Sequence, residues 1–286
     1  MSHVREQFRS VLARPICTLA ANIFDPLSAR IAHMLGYEVC VLSGSTGKAA
    51  NLAVPDLVLS TMSDVVDHCR RITRSADVSL MVDAEDGFGN AVNVMRTVKE
   101  MEAAGVSGIE IEDNAVPKQF HVSDPGLVSQ REQVGKLKAA VAARTDPTTV
   151  IIARTSALAQ CPLDEALERI RAYSDTGAEA LMLVGAHRGR SDLEAVQQVT
   201  TLPLCVLNPP PEVRNDPDFL AAHVVRILML GNPTFAVTVK AIYDSLKHLK
   251  DGGSLEALQD RQASQDLLRT VTRTDEFIQQ QQTYFP

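Results

Sequence analysis

The chain of 286 residues contains no tryptophan, and aromatic residues make up only 4% of it. Too few aromatic faces are present for a base-stacking platform. No run of lysine or arginine appears and the formal net charge is −7, which further argues against a nucleic-acid partner. No apolar run approaches the roughly 18 residues of a membrane span. The N-terminus, Met-Ser-His-Val-Arg-Glu-Gln-Phe, has no apolar signal-peptide core. Neither a membrane association nor export is therefore expected. The five cysteines (Cys17, Cys40, Cys69, Cys161 and Cys205) are scattered and odd in number. They show no metal-ligand spacing, and reduced thiols in a cytoplasmic protein are the simplest reading.

What the chain does have is a large apolar fraction, 45%, enough for a sizeable core. Its apolar runs are short. Strands are expected at 16–20, 39–42, 79–82, 109–113, 150–153, 181–184, 204–207 and 224–230. Between them lie segments with helical spacing, at 4–13, 26–35, 63–74, 90–104, 131–144, 162–176, 192–199 and 233–250. Asp25-Pro26 opens the second of these, with Asp25 as N-cap and Pro26 at the first helical position. Gly36, Gly105 and Gly177 each stand between a helix end and an apolar strand, where a left-handed cap needs glycine. They recur about every 70 residues, the length of two βα units. Eight strand–helix units point to an α/β fold, a (β/α)8 TIM-type barrel, with a doubly wound sheet as the second choice. Residues 1–250 are assigned to one barrel domain, and 251–286 to a helical C-terminal extension. Ser43 to Gly47 is read as a loop, and the proline-rich segment from Asn208 to Asn215 as a rigid loop.

The chemistry concentrates after the third strand, in Ser79-Leu-Met-Val-Asp-Ala-Glu-Asp-Gly-Phe-Gly89. Asp and Gly suit a solvated turn. Carboxylates crowded at a strand end also repel one another, and a hard cation with oxygen ligands offsets them. In a barrel the site lies at the C-terminal ends of the strands. Those ends supply Ser43, Gly44 and Ser45, then Asp83 and Glu85, Glu112, Arg154, and Asn232, with Asp56 from a following loop. Asp83, Glu85, Glu112 and Asp56 are the candidate ligands of one Mg²⁺, some of them through water. Mn²⁺ is a possible substitute. The Ser/Gly stretch offers N–H groups and hydroxyls to a carboxylate or phosphate, and Arg154 offers a planar fork. Each has a plainer reading: Glu112 as a surface acid, Arg154 as a structural ion pair, the Ser/Gly stretch as a loop.

Taken in order, Ser43-Gly44-Ser45, Pro55-Asp56, Asp83-Ala-Glu-Asp-Gly-Phe-Gly89, Ile111-Glu112-Asp113 and Ala153-Arg154-Thr155 resemble the isocitrate lyase / phosphoenolpyruvate mutase superfamily. The resemblance covers about residues 5 to 250. Phe24-Asp25-Pro26, Gly89-Asn-Ala-Val-Asn-Val-Met-Arg-Thr-Val98 and Gln119-Phe120 are most similar to its bacterial oxaloacetate decarboxylase branch. The resemblance implies a (β/α)8 barrel whose eighth helix is swapped between subunits of a homotetramer, a dimer of dimers. It implies one Mg²⁺ per subunit on Asp83, and substrate contacts from Ser45 and Arg154. Two residues depart from the pattern. Glu85 stands where the family has a second Asp. Asn232 stands where the decarboxylase branch has a histidine, and Asn donates hydrogen bonds but carries no charge.

The superfamily's lyases carry a Lys-Arg-Cys-Gly loop after strand four. Here the segment is Asn114-Ala-Val-Pro-Lys-Gln-Phe-His121, without cysteine. The expected activity is decarboxylation of a β-keto acid, oxaloacetate to pyruvate, through a metal-stabilised enolate that needs no enzymic nucleophile. Arg154 and Asp83 are the expected catalytic residues, with Ser43, Gly44, Ser45, Arg154 and Asn232 binding substrate. His121 is a candidate gate residue. The alternatives are another C–C or C–P bond reaction of the superfamily, on a 2-hydroxy acid or phosphonate, and a barrel that binds a metabolite without turnover.

Overall fold

The structure is a computed structural model that describes residues 2–117 and 126–285. Gln119, Phe120 and His121 lie outside the described residues. In chain order the elements begin with α1 (Ser2–Ala13), β1 (Thr18–Leu19), β2 (Ala21–Asn22), α2 (Pro26–Met34), β3 (Val39–Leu42), α3 (Gly44–Leu52) and α4 (Met62–Ser75). Next come β4 (Ser79–Asp83), α5 (Ala91–Ala103), β5 (Gly108–Glu112), α6 (Gln130–Ala143), β6 (Val150–Thr155), α7 (Ala157–Gln160) and α8 (Leu163–Ser174). The series continues with β7 (Ala180–Leu183), α9 (Arg190–Gln197), β8 (Leu204–Leu207), α10 (Pro211–Arg214), α11 (Pro217–Ala222), β9 (Val225–Met229) and α12 (Pro233–Lys250). Helices α13 (Gln265–Thr272) and α14 (Thr274–Tyr284) complete it.

All the strand pairings are parallel, and the order is β1-β9-β8-β7-β6-β5-β4-β3-β2. The expected first strand at 16–20 is displaced and split. Thr18 pairs with Ile227 of β9, whereas Ala21 pairs with Cys40 of β3. Between them Ala20 donates its N–H to the Leu228 carbonyl at 3.0 Å. The two halves of one strand thus join both edges of the sheet, which closes as a (β/α)8 barrel. Closure leaves no sheet edge unpaired.

Side-chain alternation divides the apolar residues into two cores. Leu80, Val82, Ile109, Ile111, Ile151 and Ala153 face the helices. Val39, Val41, Met81, Ile152, Met182, Cys205 and Ile227 face the barrel interior. Helix α1 shuts the N-terminal end of that interior with Phe8, Val11 and Leu12. It is pinned there by Arg5 Nε on the Val106 carbonyl (3.0 Å), Arg9 Nε on the Thr148 carbonyl (3.1 Å) and Ser79 Oγ on the Val4 carbonyl (2.7 Å). Only glycine fits at position 108, because a Cβ there would lie 2.8 Å from two Phe8 ring carbons. The bottom is therefore sealed and apolar, and polar groups are left to the top.

Two segments read as loops contain helix. Ser43 is extended (φ −77°, ψ 149°) and acts as the N-cap of α3, which begins at once with Gly44 and ends at left-handed Ala53. The segment after β8 forms α10 and opens α11, because Pro211 and Pro217 each sit in a first helical turn, where a missing N–H costs nothing. Asp25 and Pro26 begin α2 as expected, and Ser28 completes a capping box with Asp25. Helix α12 has no buried residue. In the C-terminal segment Val271 of α13 is buried, and its carbonyl accepts from Arg30 of α2 at 3.1 Å.

Candidate active site

Strand register brings the polar residues together at the top. Asp83 lies beside Glu110, and Glu112 beside Arg154. Residues that pair across parallel strands point to the same side, here inward. Asp83, Glu85, Glu110, Glu112 and Arg154 thus line one cavity of about 400 Å³ with Asn22, Ser43, Ser45, Lys48, Asp56 and Asn232.

Asp83 ends β4. Its carboxylate accepts from the Gly44 N–H (3.2 Å), the Glu85 N–H (3.0 Å) and Arg154 Nη1. Burial alone would raise its pKa, but Arg154 and the two N–H donors outweigh burial and hold it below the ordinary value. A Cβ at Gly44 would lie 2.7 Å from Glu85 Oε1 and 3.0 Å from Asp83 Oδ2. Glycine is what lets the α3 N-terminus approach these acids so closely. That helix end carries partial positive charge, which favours the anions beside it.

After Asp83 the chain bends through Glu85, Gly87, Phe88 and Gly89, all at positive φ. Glu85 itself is at φ 52°, an uncommon conformation for a side chain of its kind. The bend turns the Glu85 carboxylate toward Lys48 Nζ, at 2.5 Å. Asp86 goes elsewhere: Lys136 of α6 holds it at 3.0 Å, an ion pair outside the cavity.

Arg154 is the central cation. Besides Asp83 it meets Glu112 at 3.3 Å and Glu110 at 3.4 Å. Its Nε is buried with no acceptor among the described residues. Burial pushes Glu110 up to about 7 and Glu112 up to about 8, with Asp83 repelling both and Arg154 opposing. Burial and Asp83 push Glu85 up to about 7, with Lys48 opposing.

On the opposite wall Asn232 joins three residues. Its Oδ1 accepts from Asn22 Nδ2 (2.9 Å) and Ser43 Oγ (3.0 Å), and its Nδ2 donates to Ser45 Oγ (3.1 Å). This pattern orients the amide and sets the Ser45 hydroxyl, which also lies 3.5 Å from Ser43 Oγ, at the cavity wall.

Of the sequence candidates, Ser43, Ser45, Asp83, Glu85, Glu112, Arg154 and Asn232 meet around one space, with Gly44 behind Asp83. Asp56 stands at the rim; its side chain is 68% exposed and it reaches the cluster through Lys48, at 3.0 Å. Glu110, Lys48 and Asn22 were missed. Glu110 precedes Glu112 by two on one strand and therefore shares its face, a signal that alternation offered. Lys48 follows Gly44 by four, a signal only for a reader who already knows that α3 is a helix. Asn22 sits in the displaced half of the first strand and left no trace.

The fit of a metal can be judged from the donors. Among the described residues no three His, Cys, Asp or Glu side chains already converge on one point. The donor chemistry nevertheless fits a hard divalent cation. Among the described residues the four inward carboxylates, Asp83, Glu85, Glu110 and Glu112, face only Arg154 and Lys48, and three of the four are raised to about 7 or 8 by burial that these cations offset only in part. Oxygen donors in excess of positive charge are what Mg²⁺ or Mn²⁺ takes. Among the described residues no cysteine or histidine lines the cavity, and residues 118–125 contain no cysteine.

A family profile described as phosphoenolpyruvate phosphomutase matches residues 8–250. The chain is 44% identical, over 94% of its length and 92% of the relative's, to an oxaloacetate decarboxylase of Rhodopseudomonas palustris (strain BisB18). Among solved structures it is similar to a phosphoenolpyruvate phosphomutase of Streptomyces platensis subsp. rosaceus, with a TM-score of 0.87, 28% identity and 99% of each chain covered. It is likewise similar to a phosphonopyruvate hydrolase in complex with oxalate and Mg²⁺, with a TM-score of 0.86, 29% identity and 99% of each chain covered.

Proposed function

Because this chain belongs to the phosphoenolpyruvate phosphomutase family, we propose that it works at this cavity as a lyase, a metal-dependent decarboxylase that converts oxaloacetate to pyruvate and CO₂. The observation that carries the reading is a small acid-lined cavity with one central arginine and, among the described residues, no cysteine. Decarboxylation of a β-keto acid needs an electron sink at the keto oxygen and no enzymic nucleophile, and the lining residues supply that kind of environment. The relative at 44% identity carries the same activity in its name.

Mg²⁺ is our assignment for the cation, one per chain, with Mn²⁺ able to replace it. Asp83, Glu85, Glu112 and Asp56 are the residues assigned to hold it. When bound, the cation supplies Lewis-acid withdrawal of electrons from the keto oxygen. The chain's own residues do the rest. Arg154 presents a guanidinium with one unmet buried donor, suited to a substrate carboxylate. Ser45, oriented by Asn232, donates its hydroxyl to the substrate. As the C3–C4 bond breaks, its electron pair moves into the C2–C3 bond and charge gathers on the keto oxygen. Arg154 and the α3 N-terminus offset that charge from fixed positions, which is where preorganised dipoles lower a barrier most. Met182, Leu207 and Met229 add an apolar stretch of wall beside them. A proton from solvent at C3 completes pyruvate.

The assembly we propose is a homotetramer, a dimer of dimers, with α12 exchanged between barrels. Support comes from Val237, Ile242, Tyr243 and Leu246, which are 55–68% exposed on α12. An apolar groove of about 320 Å³ beside β1, β2 and α2 is of the kind that takes such a helix. Residues 1–250 then form the barrel domain and 251–286 its extension. No helix among the described residues is long and apolar enough to cross a membrane, and we place the enzyme in the cytoplasm.

The test is pyruvate formation from oxaloacetate with Mg²⁺ and with a chelator, in the wild type and in Asp83→Ala, after subtraction of the metal-only rate. Turnover that requires both cation and Asp83 is the expected result. Turnover indifferent to either overturns the reading.

A further inference from the structure

We infer that Lys48 is a positioning residue that serves as the site's resident cation: it competes with the divalent metal for Glu85 and Asp56 and ties the 53–61 segment to the cavity. The inference rests on the assignment of Asp83, Glu85, Glu112 and Asp56 to that metal.

The Lys48 side chain is 3% exposed, and lysine is almost never buried to this degree unless paired. Both of its partners, Glu85 at 2.5 Å and Asp56 at 3.0 Å, belong to the assigned set. It enters from α3, whereas Arg154 enters from β6 and takes Asp83 and Glu112. Arg154 also meets Glu110, so the two cations hold separate sets of acids, three on Arg154 and two on Lys48.

The backbone is built around this division. Glu85 keeps a left-handed φ of 52°, a conformation that costs energy without glycine and persists only where the surroundings enforce it. Its N–H is on Asp83 and its carbonyl accepts from the Glu112 N–H at 2.9 Å, so the residue is locked between β4 and β5. From that position its carboxylate meets Lys48.

The 53–61 segment runs from the left-handed end of α3 to the capping residue of α4. Leu57 and Leu59 there are each 54% exposed, so little apolar contact holds it down. Asp56 meets Lys48 and no other cation among the described residues. One ammonium therefore joins the exposed 53–61 rim to the buried acid cluster, and subtracts one positive charge's worth of attraction from any divalent ion bound there.

Mn²⁺ affinity, read by isothermal titration calorimetry, tests this without turnover. A unit charge a few ångströms away, at an effective dielectric of about 20, shifts binding by at least about tenfold. Lys48→Met is expected to bind Mn²⁺ about tenfold tighter, Glu85→Gln more weakly than wild type, and the double variant within about twofold of wild type. Lys48→Arg is expected to retain wild-type affinity. Metal-free Lys48→Met is also expected to be cut faster within 53–61 by a nonspecific protease, with Mn²⁺ slowing the cut. Unchanged or weaker binding by a folded Lys48→Met overturns the role of Lys48 alone. If that variant does not fold, a double variant far from wild-type affinity overturns it instead. Failure of wild type to bind Mn²⁺ overturns the metal assignment and this inference with it.

Discussion

Asn22 donates its side-chain N–H to Asn232 Oδ1 at 2.9 Å, linking residues 210 positions apart across the seam where the barrel closes. With Ser43 on the same oxygen, the Asn232 amide has one orientation, and its N–H₂ is directed at Ser45. The orientation of the uncharged Asn232 amide therefore depends on a residue from the split first strand.

Asn22→Ala is expected to leave the fold intact and to lower kcat/KM for oxaloacetate by up to about tenfold, the value of one hydrogen bond. Most of the loss should appear in KM. Steady-state kinetics and a thermal melt separate the two, and an unchanged KM would remove Asn22 and Asn232 from substrate binding.

Arg154 is the sole cation facing Asp83, Glu110 and Glu112 among the described residues. Arg154→Met leaves buried carboxylates unpaired, and a loss of about 3–5 kcal/mol of stability is expected from breaking such a network. Activity should fall by about 10²–10³ as the fixed charge is lost. Divalent cation should restore part of the stability and little of the activity, which melts with and without Mg²⁺ and a pyruvate assay would show.

Gly108→Ala places a methyl group 2.8 Å from the Phe8 ring. Overpacking of this kind costs about 1–3 kcal/mol. Since the contact is at the sealed end, activity per folded molecule should not change. Adding Phe8→Leu should recover stability; a Gly108→Ala melt equal to wild type would mean that α1 moves freely.

Asp146 is held down to about 2 by the Thr148 hydroxyl and N–H and by Arg5, against a slight opposing effect of burial. A carboxyl with a lowered folded pKa contributes its full stability above the unfolded value, about 3.9, and loses it as pH falls toward 2. Wild type should therefore lose stability between about pH 4 and 2, and Asp146→Asn should be less stable than wild type at pH 6 but flatter across that window. Chemical denaturation at several pH values checks both slopes.

Much of this molecule could be read from its chain. Helix ends marked by Gly36, Gly105 and Gly177, each followed by a short apolar run, announced alternating helices and strands, because cap and turn chemistry is local. Asp25-Pro26 marked a helix start for the same reason. That Asp83, Glu112 and Arg154 meet at one cavity was legible because all three fall at strand ends, which a barrel gathers at one face. The Ser43 to Gly47 stretch was not legible as helix, since glycine and serine are weak helix formers and tertiary packing under Asp83 decides the matter. Partners were beyond reach. Glu110 beside Asp83, Lys48 between Glu85 and Asp56, and Asn22 on Asn232 depend on register between strands and on the split that closes the barrel. Sequence determined which residues carry charge and which stretches repeat. Only the tertiary structure decided which acid each cation holds, because pairing energies fall with distance and no local pattern encodes distances between segments far apart in the chain.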